Sequence, residues 1–358
     1  MNIAARRIIL RGHRKTMKNI LKRIFVDGFT GMTLGMFVTL IMGTASVQLG
    51  TWIGGQVGAQ LVTFGNIAKL LTGAGIGVGV AARFGADSLV TVSAAVAGML
   101  GAFHGVSAVA FGAAGEPLGA FVAAYIAVQV GMFISGRTSL SIVLTPIASI
   151  FAGALVGYFV GPYITKFIHW IGSLASYNVA ASPIIGGIIV AVLFSLFAAM
   201  PLSTFALTAA LGLSGVAAGA ATIGVCCSMV GFAVAGYRDN KLGGVFAIGM
   251  GSAMLEFPNI LKKPLIWIPP VIASAILGPF GAALLKMSNT AHGAAAGSLM
   301  LIGQFETWHS MVPGTPGAIV VIEIVLMHFL LPGLISLAVS EIMRKLNWIK
   351  KGDMRLQA

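Results

Sequence analysis

Residues 29–50 run for 22 positions without a charged side chain, and apolar runs of similar length recur at 118–134, 140–159, 184–200 and 205–236. About 20 apolar residues in a helix match the hydrocarbon thickness of a bilayer. With 58% hydrophobic and only 9% charged residues over 358 positions, the chain lies outside the range of soluble globular domains. The 48 glycines suit helices that approach closely in lipid, where no hydrophobic drive brings helices together. The expected class is an all-α polytopic membrane protein.

The net charge of +13 does not point to nucleic acid. Eight Lys/Arg fall between Arg6 and Arg23, and five more between Arg344 and Arg355. Basic clusters beside spans mark the cytoplasmic side, so both ends are expected there and the number of crossings is expected to be even. No signal-peptide cleavage pattern is present, and residues 1–28 read as a basic amphipathic helix on the anionic leaflet. The chain is expected in the plasma (inner) membrane as a multi-pass protein. Cys226 and Cys227 are adjacent in an apolar run, poorly placed to bridge or share a metal, and read as packing residues.

The run pattern predicts about ten transmembrane helices. Two glycine-rich segments, 104–117 and 289–298, are too polar to span and too apolar for ordinary loops, and read as re-entrant hairpin-like segments. Five parts follow: the N-terminal helix 1–28, a first transmembrane half 29–162 and an interfacial connection 163–181. A second half 182–343, holding the substrate site, and a basic cytoplasmic tail 344–358 complete the chain. The run 205–236 is too long for one straight crossing, and a break is expected near 213–215.

The stretch 249–281 carries the strongest functional signal. Glu256 sits in an apolar helix expected to break at Phe257-Pro258-Asn259 and to restart near Leu265. A carboxylate at membrane depth costs roughly 2.5 kcal/mol or more on insertion scales and rarely sits there without a partner or ligand. Ser252 lies one turn before it and Asn259 just past the break, so carboxylate, hydroxyl and amide converge as a set for binding hydroxyls. A structural alternative pairs Glu256 with Lys262 or Lys286.

His104 and His292 open the same short pattern, His-Gly-x-x-Ala, once in each half. They read as site residues or as helix caps. Glu116, before Pro117, stands at a helix entrance, either facing a cavity or favouring the helix dipole. Gln304 joins the candidate lining. No Walker loop, H-E-x-x-H pair or nucleophile–base pair is visible, so no cofactor, metal or self-contained ATP-driven transport is expected, and the chain is not expected to be an enzyme by itself.

The runs Met254-Leu255-Glu256-Phe257-Pro258-Asn259-Ile260 and Lys263-Pro264-Leu265-Ile266-Trp267-Ile268-Pro269-Pro270 resemble the EIIC-like membrane proteins of the sugar phosphotransferase system. Gly115-Glu116-Pro117-Leu118-Gly119-Ala120, Ser135-Gly136-Arg137-Thr138 and Gly31-Met32-Thr33-Leu34-Gly35-Met36-Phe37 resemble its perfringolysin O regulator-type branch. The resemblance implies a dimeric EIIC-like permease fold for a carbohydrate-like solute, held by a carboxylate and a histidine near re-entrant hairpins. Carried onto this chain, these are Glu256 and His292, with Glu116 and His104 beside them. It departs from complete phosphotransferase permeases in showing no IIB module with a phosphorylatable cysteine, so separate phosphotransferase proteins would supply any phosphorylation. A solute sensor without net transport and an ion-coupled symporter are the alternatives.

Overall fold

The computed structural model describes residues 23–104, 109–173, 179 and 181–356. The expected amphipathic helix at 1–28 lies outside the described residues except from Arg23 onward, where the first long helix begins. In chain order, α1 is Arg23–Ile53, α2 Gly55–Leu70, α3 Thr72–Phe84, α4 Ser88–Ala102, α5 Pro117–Ile134 and α6 Ser141–Ser173. Among the described residues there is no strand beyond an isolated bridge between Gly215 and Asn289.

The first six helices pack through glycine. α1 runs antiparallel to α2 and α3, meeting them through the pairs Gly50–Gly58, Gly43–Gly65, Gly35–Gly75 and Gly31–Gly79. A methyl group at Gly35 would fall 2.3 Å from the Gly75 carbonyl, and one at Gly31 2.5 Å from that of Gly79. No side chain fits at such contacts, which is how backbones reach van der Waals distance in lipid. α3 meets α4 in the same manner, Gly73 against Gly98.

The rest of the chain continues with α7 (Pro183–Ala199), α8 (Thr204–Ala210), α9 (Gly215–Ala235) and α10 (Tyr237–Phe246). The wider turn Ala247–Gly251 and the tight turn Ala253–Glu256 lead to α11 (Phe257–Lys262). After it come α12 (Pro264–Leu284), α13 (Ala291–Ala296), α14 (Ile302–Met311) and α15 (Gly317–Lys345). α9 is the hub, enclosed by α7, α12 and α15 and burying both Cys226 and Cys227 as free thiols.

Among the described residues, α1, α5, α6, α9, α12 and α15 are long and apolar enough to cross a membrane, and the α2–α3 pair, bent by 55°, makes a seventh if it is one span. This is fewer than the ten crossings read from the apolar runs. Two of those runs fold as the shorter helices α4 and α7, of 15 and 17 residues. The run 205–236 divides between α8 and α9, the chain turning at Gly212 and Gly215 with positive φ. α6 continues through Ser173, so residues 163–173 of the expected interfacial connection are the end of a 33-residue helix. Residues 174–178 and 180 lie outside the described residues, as do 105–108 of the first expected re-entrant segment.

The central helix breaks one turn earlier than expected. Ser252 is extended (φ −158°, ψ 137°), and its hydroxyl accepts from the Met254 N–H. Pro258 does not break the chain, because it occupies the first turn of α11, where a missing N–H costs nothing. A second break comes at Lys263 (φ −141°, ψ 80°), which Pro264 pushes out of helical geometry.

Candidate functional site

A cavity of about 420 Å³ lies where α4, α5, α6 and α8 converge, lined by His104, Glu116, Thr165, His169 and Ser203 together with apolar side chains such as Leu207. His104 is fixed at both ring nitrogens. Nδ1 is 2.8 Å from the Gly101 carbonyl, an acceptor only, so Nδ1 carries a proton and donates to it, and Nε2 lies 3.2 Å from the Thr165 hydroxyl. The ring lies over Gly161, where a methyl group would collide with it at 2.4 Å.

Glu116 caps α5, its carboxylate accepting from the Leu118 and Gly119 N–H groups, and its own N–H donates to the Ala102 carbonyl. It serves the helix dipole and faces the cavity at once. His104 and Glu116 flank one glycine: a methyl at Gly119 would stand 3.1 Å from Glu116 Oε2 and 3.1 Å from His104 Nδ1. Thus the structure brings these two sequence candidates together.

The seven-residue helix α8 separates this cavity from a smaller void of about 30 Å³. Ser203, Ala206 and Leu207 face the cavity, whereas Thr204 and Phe205 line the void together with Ser252 and Met254. Thr204 also donates to the Ala295 carbonyl at 2.9 Å, tying α8 to α13. His292, on α13, is exposed and lies against Phe205 with ring centres 5.3 Å apart. Thr290 caps α13 and donates to Glu306.

Glu256 and Asn259 form a separate centre. Glu256 is fully buried, its Oε2 accepting from Asn259 Nδ2 at 2.8 Å while Oε1 has no hydrogen-bond partner. The same Asn259 amide donates to the Arg355 carbonyl at 2.9 Å. Asp239 and Asn240 stand on the same side and bind the backbone of residues 352–356. None of the hydrogen bonds of His292 or His104 reaches this centre.

Gln304 is placed elsewhere. Its amide nitrogen is 3.3 Å from His328 Nδ1 and 3.5 Å from Cys226 Sγ, beside a cavity of about 400 Å³ lined by Trp308 and His309. Sequence reasoning missed Thr165 and His169, which share a face of α6 at a spacing of four, a signal that was available. It also missed Asn289, which donates to Thr222, Thr307 and the Gly303 carbonyl and so knits α9, α14 and the chain before α13.

Residues 26–356 match the family model described as Phosphotransferase system, EIIC. The chain belongs to this EIIC family. As an EIIC protein it is a membrane permease component for sugar uptake that works with other phosphotransferase proteins. No curated protein and no solved structure matches this EIIC chain. The family match spans both the His104–Glu116 cavity and the Glu256–Asn259 centre.

Proposed function

We propose that this EIIC protein moves a carbohydrate by alternating access between the His104–Glu116 cavity and the Glu256–Asn259 centre. The observation that carries the reading is the cavity of about 420 Å³, which joins His104 and Glu116 from one half of the chain to Ser203 from the other. Its size falls in the usual range for small-molecule sites. Carboxylate, imidazole and hydroxyl groups serve sugar hydroxyls, and Phe103, Ile168 and Leu207 offer apolar walls to the C–H faces.

In this reading α8 is the moving part. It has the cavity on one face and the void at Ser252 on the other, so a shift of α8 would connect the two. Ser252 then passes solute to Glu256 and Asn259, with His292 and Phe205 beside the route. α4 and α7 also cross the bilayer, bringing the total towards ten, and 104–117 and 289–298 dip into it. Phosphorylation is supplied by a separate protein.

The test is ligand-dependent thermal stabilisation of the purified protein across sugars, polyols and their phosphates, since a ligand that binds only the folded state raises apparent stability. A sugar that stabilises the parent and not Ala206→Trp, which fills the cavity, supports the site. Stabilisation that survives Ala206→Trp removes the cavity from the route. Sugar binding with no flux into vesicles would make the protein a sensor.

A further inference from the structure

α15 ends at Lys345, and the chain reverses at Asn347 (φ 58°), sending residues 348–356 back across α10 and α11. Ile349 and Met354 are anchored in the core, at 2% and 0% exposure. Between them and beyond, three framework side chains hold the backbone. Asp239 accepts from the Gly352 N–H at 2.9 Å and the Met354 N–H at 3.3 Å. Asn240 donates to the Met354 carbonyl at 2.6 Å and accepts from the Leu356 N–H at 2.9 Å. Asn259 donates to the Arg355 carbonyl. Arg344, 4.0 Å from Asp239, is bound to the Ala235 carbonyl and steadies the clamp from α15.

These contacts put peptide groups where a hydroxylated molecule would place its own donors and acceptors. Asn259 is the shared element: one amide group bonds both Glu256 and the segment. The seat is only partly filled. A cavity of about 330 Å³ remains between α11 and the segment, lined by Asn259, Lys262, Lys263, Asp353 and Arg355. The bond from Asn259 to the Arg355 carbonyl borders this open space, where water can replace it, unlike the glycine-to-glycine seams of α1–α3.

We propose that residues 348–356 are a displaceable plug that closes the Glu256–Asn259 end of the route and must leave its clamp for solute to pass. The proposal rests on the permease reading for its consequence, though not for the plug's movement. With the segment away, Asp239, Asn240, Asn259 and Arg344 face the opening in front of Glu256, a set of acceptors and donors suited to hydroxyl groups.

Two readouts separate the plug from the permease reading. The first is labelling of an Asn259→Cys variant by a water-soluble maleimide; the native cysteines are fully buried and the parent chain gives the background. Adding Asn240→Ala, which cuts two of the clamp bonds, is expected to speed labelling by about tenfold, as local opening replaces global unfolding. Equal, slow labelling in both backgrounds overturns the plug. Hydrogen exchange on the unmodified protein guards against misfolded variants: the amides of Gly352, Met354 and Leu356 should exchange far faster than those of α9. Exchange of both sets only through global unfolding overturns the plug as well.

The second readout is sugar uptake by an Asp353→Cys/Lys263→Cys pair, bridged by a cleavable bifunctional maleimide. Uptake should be lost on bridging and return on cleavage. Unchanged uptake in the bridged protein overturns the plug while the permease reading stands. Fast local opening with no uptake in either state overturns the permease reading while the plug stands.

Discussion

Asn259 hydrogen-bonds Glu256 at 2.8 Å and the Arg355 carbonyl at 2.9 Å through the same amide nitrogen. A buried carboxylate and a distant segment of chain are thereby read by one side chain. Among the described residues the second oxygen of Glu256, Oε1, has no hydrogen-bond partner.

Glu256→Gln keeps the size of the side chain and an acceptor for Asn259, and replaces the carboxyl group by an amide. Sugar uptake in vesicles is expected to fall to background while the yield of folded protein stays at the parent level. Uptake at the parent rate would remove Glu256 from the route.

Asn259→Leu leaves Glu256 buried with no partner and frees the Arg355 carbonyl. A buried polar group stripped of its bond costs about 1–3 kcal/mol, so the melting temperature in detergent should fall. The drop should be larger than for Glu256→Gln, because that variant preserves a bond.

Gly224 lies against α7, where a methyl would fall 2.1 Å from the Ala191 carbonyl. Backbone cannot yield as a flexible side chain can, so Gly224→Val should cost about 1–3 kcal/mol or more by overpacking. Loss of monodisperse protein on size-exclusion chromatography is the expected result. Gly243→Ala, where nothing lies within contact distance, is the matched control.

Asp87 caps α4 through the Val90 N–H and accepts from the Ser135 hydroxyl, joining the start of α4 to the end of α5. The Ser135 bond first, and then the Val90 bond, holds the carboxyl below its ordinary pKa. A folded pKa lower than the unfolded value of about 3.9 stabilises above that value, and the benefit is lost as pH falls through the folded pKa. Asp87→Ala removes the helix cap, and should cost about 1 kcal/mol near pH 7, the usual worth of an N-cap. The difference in melting temperature from the parent should shrink progressively below pH 4.

The sequence marked the centre at 249–281 because its signals are local. A carboxylate among apolar residues and several prolines can be seen without knowing the fold. The break moved to Ser252 since Pro258 begins α11 instead of ending the helix before it. His104 and Glu116 were also legible, standing towards the two ends of the glycine-rich stretch 104–117 of the sequence. The Thr165 partner of His104 is 61 residues further along the chain, and nothing in the intervening composition joins the two. Asp239 and Asn240 carry no local sign of what they hold. Their partner is the backbone of 352–356, which has no side-chain signature to find.

The same property bears on how this part of the molecule tolerates change. A lock that recognises main-chain amides and carbonyls accepts almost any key of the right length. Substitutions between Lys350 and Leu356 should be absorbed with little effect, save at Met354, whose side chain is fully buried, at Gly352, whose φ of 92° favours glycine, at Asp353, whose carboxylate accepts from the Lys350 N–H, and at proline, which would remove a needed N–H. Insertions or deletions of one residue there should do what most point changes cannot, by shifting every amide out of step with Asp239 and Asn240. Genetic variation would thus fall on identity before spacing.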